Sequence, residues 1–334
     1  MLVPSIDLSA DGTRHGVVPL IHSDHRHAHS VIPTPITVVK GGTGPTVLIT
    51  AGVHGDEFAG ILAARQLIAE LPTLDIAGRV IVMPQLNLPA CRDTCRVSPL
   101  DGENLNRVFP GAPHGSPTQR LAHYLEEDLL RQVDLVLDLH SGGTTARYVP
   151  SAFVYRRDSP AMQAKRDAAR AFGLSVTLVV DAPLSAGSLL GACERNGIPA
   201  IACEVGGGAT LDRRAISTTR AAVYRVLAWF GTLSAPSDVQ PAAETTFVHL
   251  AFGTERAVVA PVSGAIVPLV DPGDLIKAGQ PAALLYSMED QATPPRTLCF
   301  PHPGMVTSVI ARADVRAGDM IYMTGVPEDP QAFR

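Results

Sequence analysis

A chain of 334 residues can bury a sizeable core and still carry a second, smaller unit. Its apolar fraction of 46% is ordinary for a globular protein, and 18% charged residues with a net charge of −5 exclude the basic footprint of a nucleic-acid or anionic-membrane partner. There is no apolar run of the roughly 18 residues a membrane span needs, and MLVPSIDLSADG has neither the basic nor the apolar part of a secretory signal, so a cytoplasmic protein is expected.

The first feature along the chain is HSDHRHAHS, with His22, His25, His27 and His29. Such a tract can bind metal, but a solvated surface loop is the plainer reading. TVLITAG (46–52) is a β-branched apolar run that stops at Gly52, and EFAGILAARQLIAEL (57–71) repeats apolar residues at helical spacing up to Pro72. RVIVMPQLN (79–87) reads as a second strand. Cys91 and Cys95 read as ordinary small loop residues, since five cysteines without a regular spacing suggest neither a disulfide framework nor a zinc cluster. A helix is expected over 116–132, with Ser116 as N-cap and Pro117 in the first turn. DLVLDLH (134–140) is a third strand, 160–173 a helix ended by Gly173, and 175–180 a strand. A short helix near 187–196, a strand over 199–205 and a helix over about 210–231, with Trp229 in its core face, complete this part.

Strands alternating with helices predict a three-layer α/β/α arrangement around a mainly parallel, mixed sheet. TLSAPSDVQPAAETT (232–246) has no period and reads as a linker, which divides the chain into 1–235, a linker 236–246, and a small all-β unit 247–334. Within that unit PVSGAIVPLVDPGDLIKAGQ (261–280) echoes PHPGMVTSVIARADVRAGD (301–319), with Pro261 matching Pro301, Gly264 matching Gly304 and Gly279 matching Gly318. Two related units suggest a half-barrel like the biotinyl and lipoyl carrier modules. The position of the carrier lysine, however, reads SMED (287–290), so a lid or structural role is favoured.

Ligands of open parallel sheets sit beyond the carboxyl ends of the strands. Four polar residues fall at or just past such ends: His54 and Glu57 after the first strand, His140 at the end of the third, and Glu204 near 199–205. Two imidazoles and one carboxylate are a common catalytic zinc set that leaves a position open for water. His54, Glu57 and His140 are therefore the candidate ligands, with Gly55 relieving the turn between the first two. Glu204 lies outside that set and is the candidate base, with the glycines after it leaving space for substrate. An H-x-x-E triplet alone is a weak signal; the coincidence of three strand ends carries the weight.

The connection between the second strand and the helix at 116 is long and rich in polar residues, from Arg96 to Gly111. Asn106 and Arg107 are candidates to hold a substrate α-carboxylate, since a guanidinium fork matches it. Arg96 is the candidate to polarise the scissile carbonyl. Asp101, Asn104 and Asn106 are equally suited to building turns.

GVHGDEFAG (52–60), NLNRVFPG (104–111), DLHSGG (138–143) and CEVGGG (203–208) together resemble the succinylglutamate desuccinylase/aspartoacylase family, of the zinc carboxypeptidase-like superfamily. The resemblance implies one zinc ion per chain on His54, Glu57 and His140. It also implies Glu204 as general base and acid, and Asn106 with Arg107 as the carboxylate clamp. For the carbonyl-polarising arginine, Arg96 is the best match and Arg92 the competitor. SPLDGENLNRVFPG is similar to the N-acetyl-2,4-diaminobutyrate deacetylase subgroup. The expected activity is hydrolysis of the amide of a small N-acyl amino acid, and a homo-oligomer is among the expectations for the chain. The rivals are a metallocarboxypeptidase with the same chemistry, and a non-enzymatic carrier, against which the missing lysine speaks.

Overall fold

The computed structural model describes residues 2–23, 28–155, 158–180, 186–250 and 253–328. The chain opens with an antiparallel hairpin, β1 (Gly12–His22) and β2 (Ser30–Gly41). Neither strand stands out in the sequence, because both carry prolines and charges that break the apolar run. β3 (Thr46–Ala51), α1 (Phe58–Glu70), β4 (Gly78–Met83) and the short α2 (Leu88–Arg92) follow. α3 (Pro117–Tyr124) is capped by Ser116, whose hydroxyl accepts from Gln119 N, and its helical path continues to Gln132 through a widened and then a tightened turn. Next come β5 (Leu135–His140), β6 (Ala146–Tyr148), β7 (Ser151–Tyr155) and α4 (Met162–Phe172), which Gly173 ends in the left-handed conformation. β8 (Val176–Val180), α5 (Leu189–Arg195), β9 (Ala200–Glu204) and α6 (Arg213–Trp229) close the α/β part.

The main sheet is mixed, with the order β1-β2-β4-β3-β5-β9-β7-β8 through this part. β4, β3, β5 and β9 run parallel at its centre, whereas β7 is antiparallel to β9. Side chains alternate between two cores, as a sheet covered on both faces requires. Leu48, Ile81 and Val136 join Leu121, Leu125 and Leu189 on one face. Val47, Ile49 and Leu137 join Leu67, Phe172 and Val223 on the other. Trp229 is not core: it sits 46% exposed at the end of α6, stacked on Phe230, because the helix has by then passed the edge of the sheet it covers.

Past α6 the chain adds β10 (Thr246–Leu250), β11 (Val258–Val259), β12 (Gly264–Pro268), β13 (Leu275–Ile276), β14 (Pro281–Tyr286), β15 (Arg296–Cys299), β16 (Gly304–Ile310), β17 (Asp314–Val315) and β18 (Met320–Pro327). β10 pairs with β8 in parallel, so the main sheet runs on through β10, β18, β16 and β13. A separate antiparallel sheet has the order β15-β14-β12-β17. The internal repeat is visible in the pairing. The long strand of each copy pairs with the short strand of the other, β12 with β17 and β16 with β13. Gly279 and Gly318 both take positive φ at equivalent turns.

Of the histidine tract, His22 ends β1 and His29 is exposed, while His25 and His27 lie outside the described residues. Among the described residues no helix is long and apolar enough to cross a membrane.

Candidate active site

Strand register brings the motifs together. Ala51 at the end of β3 stands beside Leu139 of β5, and His140 stands beside Glu204 of β9. His54 follows β3 by three residues and is 2% exposed. The turn that carries it is pinned by Gly55 N donating to Cys95 O at 2.9 Å. Only glycine is accommodated at 55, since a Cβ there would lie 2.0 Å from the Ala90 carbonyl carbon. Glu57 occupies the N-cap position of α1 but makes no side-chain capping bond. Its carboxylate turns to the site instead, accepting from Ser141 N at 3.2 Å and lying 2.8 Å from His140 Nδ1.

The ligand atoms of His54, Glu57 and His140 all lie within 4.8 Å of one another, and all three residues are buried. That is the spacing of groups able to share one ion. Behind them, His140 Nε2 lies 2.7 Å from Asp138 Oδ2, and Asp138 Oδ1 accepts from Thr50 Oγ1 at 2.7 Å. His54 Nδ1 lies 3.1 Å from the Arg96 carbonyl, which fixes its proton there and leaves the lone pair on Nε2. Carboxylates and carbonyls that orient metal-binding imidazoles in this way raise ligand basicity.

The electrostatics suit a site that takes a dication. Burial, then the charges of His140 and Arg96, push His54 down to about 2. Burial also opposes charge on His140, but Asp138 and Glu57 outweigh it and hold its pKa well above the usual imidazole value. His140 thus sits between two carboxylates, Asp138 at Nε2 and Glu57 at Nδ1, and the Nδ1 side is the one that faces the cluster with His54. Burial, followed by the charge of Glu57, pushes the Glu204 carboxyl up to about 8. Its Oε2 is buried with no hydrogen-bond partner. An orphaned carboxylate oxygen beside two imidazoles and a carboxylate fits a site that takes an ion, a water and a substrate.

Arg96 donates from a guanidinium nitrogen to Glu57 Oε1 at 3.3 Å and stays 40% exposed, whereas Arg92 is exposed on α2. Burial and then the charge of Arg96 lower the pKa of Arg107, so the two guanidiniums share one neighbourhood, which favours an anion between them. Asn106 Oδ1 accepts from Leu189 N at 3.0 Å, joining the loop to the start of α5 and turning the amide nitrogen the other way. Asp101 is a builder of the loop, bonded to Thr118 N and Oγ1, and Asn104 Oδ1 accepts from Asn106 N.

Three features escape a reading of the motifs. Asp138 is one, although its spacing of two residues from His140 puts both on the same strand face. The strand β6 beside the site is another, since nothing in ARY marks a strand. The third is the purpose of Gly206–Gly208. They bring β6 close, with Gly208 N donating to Ala146 O at 2.9 Å, and Gly207 also lines a cavity with Asp56, Ser141 and Gly143.

Comparison with known proteins gives the chain its family. The profile of the succinylglutamate desuccinylase/aspartoacylase catalytic domain matches residues 43–230. The chain belongs to the succinylglutamate desuccinylase/aspartoacylase family. It is 35% identical over 320 residues to the N-alpha-acetyl-L-2,4-diaminobutyric acid deacetylase of Halomonas elongata, covering 95% of this chain and 92% of that one. The product-bound structure of the ectoine utilization protein EutE (DoeB) from Ruegeria pomeroyi superposes with a TM-score of 0.91 at 32% identity, over 97% of this chain and 98% of that one. A succinylglutamate desuccinylase/aspartoacylase structure from Rhodobacter sphaeroides gives 0.90 at 31% identity, over 98% and 99%.

Proposed function

We propose that this protein is a zinc-dependent deacylase that hydrolyses the amide of a small N-acyl amino acid, with N-α-acetyl-2,4-diaminobutyrate as the first substrate to test. The observation that carries the reading is the buried cluster of His54, Glu57 and His140 beside the unpartnered Oε2 of Glu204. The similarity to the Halomonas elongata deacetylase supports the choice of acyl amino acid.

His54, Glu57 and His140 would hold the zinc. When bound, zinc polarises a carbonyl oxygen and brings the pKa of water to about 7. Glu204, the carboxyl outside the ligand set with Oε2 free of partners, would serve as the base in its ionised form. Glu204 Oε2 then takes the proton of the attacking water and delivers it to the leaving amine nitrogen. The Arg96 guanidinium lies beside Glu57 and offers N–H donors to the oxygen that gains charge as the carbonyl becomes tetrahedral. Arg107 and the Asn106 amide hold the α-carboxylate and orient the scissile bond. In this reading the architecture is of the zinc-carboxypeptidase type, and 247–334, reached through 236–246, is a half-barrel unit joined to the main sheet through β10 that limits the site to small substrates.

The test is metal analysis of the purified protein, followed by a panel of acetyl-, succinyl- and formyl-amino acids that includes acetylated diaminobutyrate. The expected result is stoichiometric zinc and turnover of an acyl amino acid that chelation abolishes and zinc restores. Cleavage of blocked dipeptides with no turnover of acyl amino acids makes the protein a peptidase instead.

A further inference from the structure

The ladder between β3 and β5 ends at Ala51 and Leu139. His54 and Glu57 lie past that end in one turn, and His140 opens the next. How far apart the two turns stand, and so whether their side chains can share an ion, is set by contacts between the turns themselves. One such contact belongs to the ligand set: Ser141 N donates to Glu57 Oε2 at 3.2 Å.

A second contact comes from Asp56, which no role above absorbs. Its Oδ2 accepts from Thr144 N at 2.9 Å and from Thr144 Oγ1 at 2.8 Å. The carboxylate is buried, 7% exposed, while Thr144 lies at the surface. The approach is close. A Cβ on Gly143 would lie 2.5 Å from Asp56 Oδ2, and Gly143 takes a φ of +53°. The second glycine after His140 is thus what lets the Asp56 carboxylate in. A buried carboxylate costs stability unless it is hydrogen-bonded, and bonds to an ionised acceptor are the strong ones. Glu57 and Asp56, adjacent in sequence, therefore grip opposite ends of the segment 141–144. One hydrogen bond would leave that segment free to pivot; attachment at both ends does not. The same segment is tied to the turn after Glu204, through Gly142 N to Gly206 O at 3.3 Å and Ala209 N to Gly143 O at 2.9 Å.

We propose that Asp56 is a positioning residue of the metal site. Through Thr144 it fixes the turn after His140 against the turn that carries His54 and Glu57, so that the three ligand atoms stand within reach of one ion before it arrives. The inference rests on the zinc-deacylase reading above.

Asp56→Ala removes the brace, whereas Asp56→Asn keeps an oxygen acceptor in its place. In the full-length protein Asp56→Ala is expected to weaken zinc binding about ten- to a hundredfold in chelator competition, the usual cost of losing a group behind a metal ligand. The visible absorption of the cobalt(II)-substituted protein, which reports ligand geometry, changes with it. Asp56→Asn brings back the cobalt spectrum and an affinity within about fivefold of wild type, the difference between a charged and a neutral acceptor. Thr144→Val keeps the backbone donor, loses the hydroxyl and costs about fivefold in zinc affinity. Joining Thr144→Val to Asp56→Ala adds nothing to the loss of Asp56→Ala alone, because the two residues act through one contact. Wild-type zinc affinity and cobalt spectrum in Asp56→Ala, even with a lowered urea midpoint, make Asp56 a residue of the fold only and overturn the proposal. An Asn variant as weak as the Ala variant, or losses that add in the double variant, overturn it too, and all three outcomes leave the deacylase standing. Should Asp56→Ala not fold, Thr144→Val at its exposed position decides, and unchanged zinc affinity there refutes the brace. Wild-type protein that binds neither zinc nor cobalt removes the zinc reading itself, and this proposal with it.

Discussion

Glu204→Gln separates the chemical role of one carboxyl from its structural surroundings. Glutamine has the same shape and cannot take a proton from water. General acid–base catalysis contributes roughly a hundred- to ten-thousandfold. A loss of kcat of at least about a hundredfold is therefore expected, equivalent to about 3 kcal/mol of barrier, with zinc content unchanged. The metal-free protein gives a second readout. There the folded-state pKa of Glu204 is raised from 4.5 to about 8, that of His54 lowered from 6.5 to about 2, and that of His140 raised above 6.5. Each proton held by only one state changes stability by about 1.4 kcal/mol per pH unit. Between pH 4.5 and 6.5 the folded state holds the Glu204 proton, the unfolded state holds the His54 proton, and the two slopes cancel. Above 6.5 folded Glu204 keeps, up to about 8, a proton the unfolded chain has lost, and the raised pKa of His140 acts in the same direction, so stability falls with pH more steeply than Glu204 alone would give. In Glu204→Gln the lower window should instead show stability rising with pH, and above 6.5 the fall should be less steep. Urea unfolding of chelator-stripped protein across this range measures both slopes. Near-normal turnover removes Glu204 from the mechanism, and pH profiles that run parallel in the two proteins refute its raised pKa.

His54→Ala is expected to lose the metal and the activity together; stoichiometric zinc in that variant contradicts its place as a ligand. Asp138→Asn, which disturbs the acceptor of His140 Nε2 and the partner of Thr50, should weaken zinc affinity ten- to a hundredfold in chelator competition while the fold persists. Gly142→Ala puts a carbon 1.9 Å from Ala146 O, so β6 has to shift. The variant should lose roughly 1–3 kcal/mol in denaturant unfolding and show a raised KM with zinc retained.

The readable parts of this protein are those where one physical rule acts alone. β3, β5 and β9 are buried on both faces, so they appear as unbroken apolar runs, and the polar residue that ends each run marks the sheet edge. His54, His140 and Glu204 stand out for that reason. β1 and β2 form the outer hairpin, where polar residues and prolines are tolerated, and their sequence carries no such run. β6 is harder still. Three residues have no period, and what makes ARY a strand is the pair of glycine turns and β16, which lie over sixty and over a hundred and fifty residues further on for Gly208 and Ser308. The sequence shows the glycines but not what approaches them, so they suggest open space where the fold has contact. Asp138 lies between these cases: its alternation with His140 is legible, but its work depends on Thr50 across the sheet. The ligands of a site built on strand ends can thus be read from the strands that carry them. The groups that aim those ligands come from pairings between distant segments, and β6, bridged to Gly207 before the 232–246 stretch and paired with β16 after it, is where the two parts of the chain meet.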